Sequence, residues 1–232
     1  ALEGANFELR AGEHVAIMGD NGAGKSTFVR QVTGVEQRTQ GKVWLYGDEV
    51  EFSGPLDARE AGIETVFQTL ALADDLNVPD NLFLGREKTF ANWLGPFRLL
   101  DYGGMRQATI DGLNKTGVKI PNIRNTIRNM SGGQRQCVAI ARTATFKSRL
   151  TIMDEPTAAL GVQETAQVER IIRTLKDDGE PLILVSHNMR QVFDLVDRIV
   201  VFRRGRICAN LDIKNGKHTG EDVVSYITGA KT

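Results

Sequence analysis

Residues 19–27 read Gly-Asp-Asn-Gly-Ala-Gly-Lys-Ser-Thr, and this stretch limits what the chain can fold into more than any other. Gly19, Gly24, Lys25 and Ser26 match G-x-x-x-x-G-K-[ST], a loop that needs a strand before it and a helix after it. Both are legible: residues 15–18 are an apolar run suited to a buried strand, and residues 28–32 suit a helix. Gly19, Gly22 and Gly24 allow backbone bends that other residues resist, so that N–H groups along Asp20, Asn21, Ala23 and Thr27 can converge on phosphate oxygens. The positive end of the following helix points at the same anion. Lys25 is expected to reach the β- and γ-phosphates of a nucleotide, and the Ser26 hydroxyl to ligate Mg²⁺.

With 232 residues the chain can bury one sizeable core, with room for a subdomain. Its 29 basic and 29 acidic side chains balance, which gives no basic surface for nucleic acid. The densest apolar runs, 182–185 and 199–202, are strand-length, far short of the ~20 residues a membrane span needs. Action at a membrane would therefore require a partner. Cys137 and Cys208 have neither disulfide-framework nor metal-ligand spacing and fit a reducing cytosol as small buried residues. The chain begins at Ala1, and no signal peptide is visible.

Taken in order, residues 6–10 alternate Phe7 and Leu9 with polar neighbours and are expected to pair with 14–18 across the Ala11-Gly12 turn. His14 reads as a strand-end structural residue. Residues 41–46 and 48–52, joined at Gly47, predict a β-hairpin. A short helix at 58–62 precedes a strand at 63–67 that ends in Gln68, a polar residue at the carboxyl end of a strand, where open α/β sheets bind ligands. From 74 to 147 the pattern turns helical, with starts at Pro79 and Asp101 and an aromatic loop at 90–97 expected to pack locally. Ser131 caps another helix whose Gly132-Gly133-Gln134 start bares backbone N–H groups, making a second anion-receptive terminus. One nucleotide loop has no use for two such termini, so the second is expected to serve a neighbouring molecule's nucleotide.

Residues 150–153 form a buried strand ending in Asp154-Glu155-Pro156. Adjacent carboxylates there are costly unless a cation and a reacting water use them, which suits Asp154 to the Mg²⁺ shell and Glu155 to deprotonating water. Residues 165–176 carry Val168, Ile171, Ile172 and Leu175 on one helical face. A core strand at 182–186 then delivers His187 to the same edge, as a contact for the γ-phosphate. Strands at 198–202 and 206–209 and a helix at 221–227 complete the pattern.

Read in order, GDNGAGKST, VFQ, MSGGQRQ, TIMDEP and SHN together resemble the ATP-binding subunit of an ABC transporter. The wording of SGGQRQCVAIAR and EPTAALGV is similar to the subunits that power monosaccharide importers, the fructose type in particular. The resemblance implies an α/β fold: a P-loop NTPase core with a parallel sheet, an antiparallel β-subdomain and a helical subdomain. Residues 1–73 and 148–232 would form the first two and 74–147 the third. It also implies that Gln68 touches Mg²⁺ and water, and that Ser131, Gly132, Gly133 and Gln134 close over ATP held by a second copy of the chain, head to tail. Asp154 and Glu155 become the Walker B pair, and His187 the switch histidine. Integral-membrane permease subunits and, through them, a sugar-binding protein are the implied partners, at the cytoplasmic face of the plasma membrane.

Three departures stand out. The adenine-stacking aromatic of the family falls ahead of Ala1, and Phe7 is too near the loop to replace it. Met130 stands where leucine is commoner, a volume-conserving change. Gly161 stands where the family's D-loop carries aspartate, which puts the cross-dimer contact of 158–161 in question. ABC-type switch proteins of DNA repair differ in inserting long coiled coils, whereas here about 60 residues without sustained heptads separate Gln68 from Ser131.

Overall fold

The computed structural model describes residues 2–90, 99–146, 148–158 and 160–231. The described chain divides into two compact units, one of residues 1–68, 148–156 and 175–232 and the other of 69–147 and 157–174.

The first unit is built on a six-stranded sheet. In chain order its strands are β1 (His14–Gly19), β4 (Ile63–Val66), β7 (Leu150–Asp154), β8 (Leu182–Val185), β9 (Arg198–Arg203) and β10 (Arg206–Asp212). Their spatial order is β10-β9-β1-β8-β7-β4. All neighbours are parallel except β10, which folds back on β9 through a register shift between Ile207 and Ala209. The continuous Val/Ile/Leu runs follow from this arrangement, because parallel strands are covered on both faces and have no polar side. Every residue of β8 is buried. Ile17, Ile152 and Ile183 meet Phe28, Val29 and Phe202 in one cluster, each such side chain contributing about 1.5–3 kcal/mol by its removal from water.

Helices α1 (Lys25–Val32), α2 (Pro55–Glu60), α7 (Met189–Leu195) and α8 (Gly220–Thr228) also lie in this unit. A separate hairpin, β2 (Val43–Leu45) with β3 (Asp48–Val50), is the antiparallel piece expected across Gly47. The expected pairing of 6–10 does not occur, since these residues form no strand. Phe7 packs edge-on against Phe28 at 5.1 Å, and Arg198 donates to the Glu8 carbonyl at 2.6 Å. Side chains thus bond two backbone groups that a strand ladder would have used, the Glu8 carbonyl and the Arg10 N–H, which donates to Glu13 Oε2.

The second unit holds α3 (Val78–Phe83), α4 (Tyr102–Lys115) and α5 (Gly132–Thr145). Helix α6 (Val162–Asp177) begins here. Val78, Leu82, Phe83, Met105, Ile127, Met130 and Val138 form this unit's own core, so Met130 does fill an apolar position. Asn81, 1% exposed, donates to the carbonyls of Ala73, Leu76 and Asn77 and fixes the turn into α3. A two-residue pair, β5 (Thr89–Phe90) with β6 (Leu99–Leu100), flanks the aromatic segment; Phe90 is exposed. The rest of that expected loop, with Trp93, lies outside the described residues. On α6 the expected stripe is buried, with Val168, Ile171, Ile172 and Leu175 at most 1% exposed.

Candidate nucleotide-binding site

The carboxyl ends of β1, β8, β7 and β4 share one edge of the sheet because those strands run parallel. Four expected groups therefore arrive together: the 19–27 loop after β1, His187 after β8, Asp154 and Glu155 at the end of β7, and Gln68 just beyond β4.

In the loop, Gly19, Gly22 and Gly24 all have positive φ, at 152°, 76° and 106°. Gly19 is required for a second reason. A Cβ there would collide with the backbone carbonyl of Phe202 on β9, so the loop leaves the sheet where no side chain fits. At Gly24, which caps α1, a Cβ would lie 2.9 Å from Leu2 Cδ2 and 3.3 Å from Gly205 Cα. Lys25 is 9% exposed, and its Nζ donates to the carbonyls of Gly19 at 2.8 Å and Asp20 at 3.0 Å. The ammonium is thereby held across the mouth of the loop. Asp20, Asn21, Gly22 and Ser26 are exposed, Thr27 partly so, and Ala23 anchors the loop in the core. No acidic residue occupies the first turn of α1, which leaves its positive end free of a competing carboxylate.

Across the sheet edge, Glu155 Oε1 lies 3.3 Å from His187 Nδ1, with Glu155 mostly buried and His187 exposed. Glu155 also takes a left-handed backbone conformation, φ 49°, which costs a non-glycine residue roughly 1–2 kcal/mol. The bond from its N–H to the Val185 carbonyl, 2.9 Å, holds it there. Burial, and next the Glu155 charge, push the Asp154 carboxyl up from its usual range, against the pull of Lys25 and Arg30. A carboxylate in that setting gains from a cation. Among the described residues no group of three or more His, Cys, Asp or Glu side chains could form a metal cage. The available set is hydroxyl and carboxylate oxygen, which fits Mg²⁺, an ion that takes one or two protein oxygens together with substrate phosphates. Gln68 is exposed at this edge.

The Ser131 turn belongs to the second unit. Ser131 Oγ accepts from the Gln134 N–H at 3.2 Å, and Gln134 Oε1 accepts from the Ser131 N–H at 3.0 Å, a reciprocal capping box. Ser131 and Gly132 are exposed and Gly133 is buried. The box satisfies two donors of the terminus internally, so the remaining exposed N–H groups of the first turn are those available to an anion.

Sequence reasoning missed the backbone of Glu155, which gives no signal in residue type, since left-handed geometry favours Gly or Asn. His14, read as a strand-end structural residue, opens β1 at the base of the sheet and is fully buried. Its Nε2 lies 3.0 Å from the Glu180 carbonyl, and its backbone N–H donates to Asp197.

The family model for the ABC transporter matches residues 2–158. A fructose import ATP-binding protein of Rhizobium meliloti is 44% identical over all of this chain and 89% of that protein. A xylose/arabinose import ATP-binding protein of Sulfolobus acidocaldarius is 41% identical over 89% of this chain and 80% of its own length. A ribose import ATP-binding protein of Streptococcus agalactiae is 38% identical over 99% of this chain, which spans 45% of that longer protein. Among solved structures, a nucleotide-free ATP-binding cassette from an ABC transporter superposes with TM-score 0.79 at 23% identity, covering 97% of this chain and 91% of the other. A dimeric cassette in a post-hydrolysis state with ADP and Pi gives 0.78 at 22% identity, over 92% and 90%. The glycine loop, the paired carboxylates at a strand end, the histidine beside them and relatives matched along the whole chain agree on one assignment: this protein belongs to the ABC transporter family, as one of its ATP-binding cassettes.

Proposed function

We propose that the chain hydrolyses Mg·ATP to drive import of a monosaccharide, fructose or a close analogue, through separate membrane permease subunits at the cytoplasmic face of the plasma membrane. The observation that carries the hydrolytic part is the Glu155–His187 pair on the same sheet edge as the Lys25 loop. The cargo rests on likeness to the fructose import protein, a relative that matches this chain along its full length.

In this mechanism the N–H groups of 19–27 and the Lys25 ammonium hold the phosphates. Ser26, Asp154 and Gln68 would hold Mg²⁺, which when bound would neutralise phosphate charge. Glu155 takes the proton from the attacking water, and His187, whose Nδ1 lies beside Glu155, presents its other ring nitrogen toward the γ-phosphate. The Ser131–Gln134 turn of a second copy closes on that phosphate from the far side. Contacts to the γ-phosphate distinguish ATP from ADP, so hydrolysis removes the attraction that keeps two copies together, and dimer opening is passed to the permease.

The test is phosphate release from vesicles carrying this chain with its permease, in the presence of a fructose-loaded sugar-binding protein. Stimulation by the fructose-loaded protein over the empty one is expected. Equal rates with fructose, ribose, xylose or no sugar would overturn the cargo, and no ATP-dependent phosphate release at all would overturn the enzyme.

A further inference from the structure

Glu164 stands in the first turn of α6, and two glycines lie against it. A Cβ on Gly133 would collide with Glu164 Cγ and would sit 3.0 Å from its Cβ and Cδ. A Cβ on Gly161 would sit 2.6 Å from Glu164 Oε2. Neither Gly133 nor Gly161 has a positive φ. Backbone geometry therefore asks for glycine at neither position; at Gly133 the space is taken by the Glu164 stem, and at Gly161 the near neighbour is the tip of its carboxylate. One of them is the second residue of α5, directly behind the Ser131 turn, and the other lies just before α6. The charge of Glu164 also reaches Cys137, one turn along α5. Burial, and then this carboxylate, push that thiol up to about 11. A single carboxylate thus lies across the first turns of two helices, where both peptide dipoles favour an anion.

We propose that Glu164 is a positioning residue. Its side chain sets the Ser131–Gln134 turn and the backbone at Gly161 in fixed register, and its carboxylate lies in the room that a side chain at 161 would need. This rests on the reading of the Ser131 turn as one wall of the ATP site. It also accounts for glycine at 161, because an aspartate would bring a second carboxylate into contact with the first.

The reciprocal substitutions test it in the full chain, by steady-state ATP hydrolysis together with equilibrium titration of a fluorescent ATP analogue. Glu164→Ala is expected to lower kcat roughly tenfold, the scale of about 1.4 kcal/mol in a barrier, with the titration midpoint unchanged because the Lys25 loop is intact. A change in the titration midpoint matching the loss in kcat would mark a general structural defect and overturn the proposal. Glu164→Gln, which keeps the shape, is expected to restore most of the rate. Gly161→Asp is expected to damage the parent and to do less harm in the Glu164→Ala background. Equal harm in both backgrounds would show that the two positions share no space and would also overturn it. Where Glu164→Ala fails to fold, the same comparison is made in Glu164→Gln, in which one of the two facing charges is gone. Ser131→Ala separates the layers. Lost turnover there with normal turnover in Glu164→Ala sinks the positioning role alone, whereas normal turnover in both sinks the reading of the turn beneath it.

Discussion

Glu155 combines two features, a carboxylate 3.3 Å from an imidazole and a backbone in the left-handed region. Glu155→Gln keeps the shape and removes the proposed base, so hydrolysis is expected to fall by roughly 10² to 10⁴ while ATP binding persists; phosphate release and nucleotide titration on one preparation check this. Glu155→Gly also removes the base but relieves the backbone, and its melting temperature is expected to be no lower than the parent's. A clear drop in thermal scans would mean that the φ of 49° carries no strain. Lys25→Ala removes the ammonium held by Gly19 and Asp20, and a fluorescent ATP analogue is expected to titrate more weakly. The placement of these residues at one sheet edge was legible in the sequence because the glycine loop and the apolar strands that end at Asp154 and before His187 leave local patterns. The contact of Glu164 with Gly133 was not, because residues so far apart along the chain carry no local pattern and each glycine alone reads as ordinary loop or helix-start chemistry.

Among the elements, strands with continuous apolar runs and helices with marked caps were read correctly, since parallel burial and capping leave local signals. Ser131 heading α5 and the hairpin across Gly47 are of this kind. The segment 6–10 was misread because alternation of Phe7 and Leu9 reports a buried side and says nothing about what bonds the backbone, which here includes Arg198. Helix α7 was missed for a similar reason. It has seven residues, and the Asn188 side chain that caps it is a single weak signal. The start of β1 yields a prediction of its own. Burial holds His14 down at about 4, with Lys176 lowering it further and Glu180, Asp197 and Leu195 acting the other way. The unfolded chain binds that proton near pH 6.5, so between pH 6.5 and 4 it carries more protons than the folded one, and stability falls as pH falls. The full effect is about 3 kcal/mol, since each tenfold loss of proton affinity on folding is worth ~1.4 kcal/mol. Melting temperature is expected to decline across that window and to decline less in His14→Gln; parallel profiles would remove His14 as the cause.

For the molecule as a whole, the proposed engine is a pair of chains. Glu155→Gln, expected to bind ATP and turn it over slowly, is expected to run as a dimer with Mg·ATP and as a monomer with ADP in light scattering. A dimer of equal strength with either nucleotide would break the link between hydrolysis and opening. The order of the sheet has a consequence for how such an engine endures repeated strokes. Strands β1, β8 and β7, which carry the loop, His187 and the two carboxylates, are interior strands, each bonded on both sides, while β10 and β4 stand at the margins. In hydrogen–deuterium exchange, the amides of 15–18, 151–153 and 182–185 are expected to exchange last, and only through global opening. The reacting groups are then mounted on the part of the protein that loosens last, so that subunit motion and wear at the periphery leave their spacing intact.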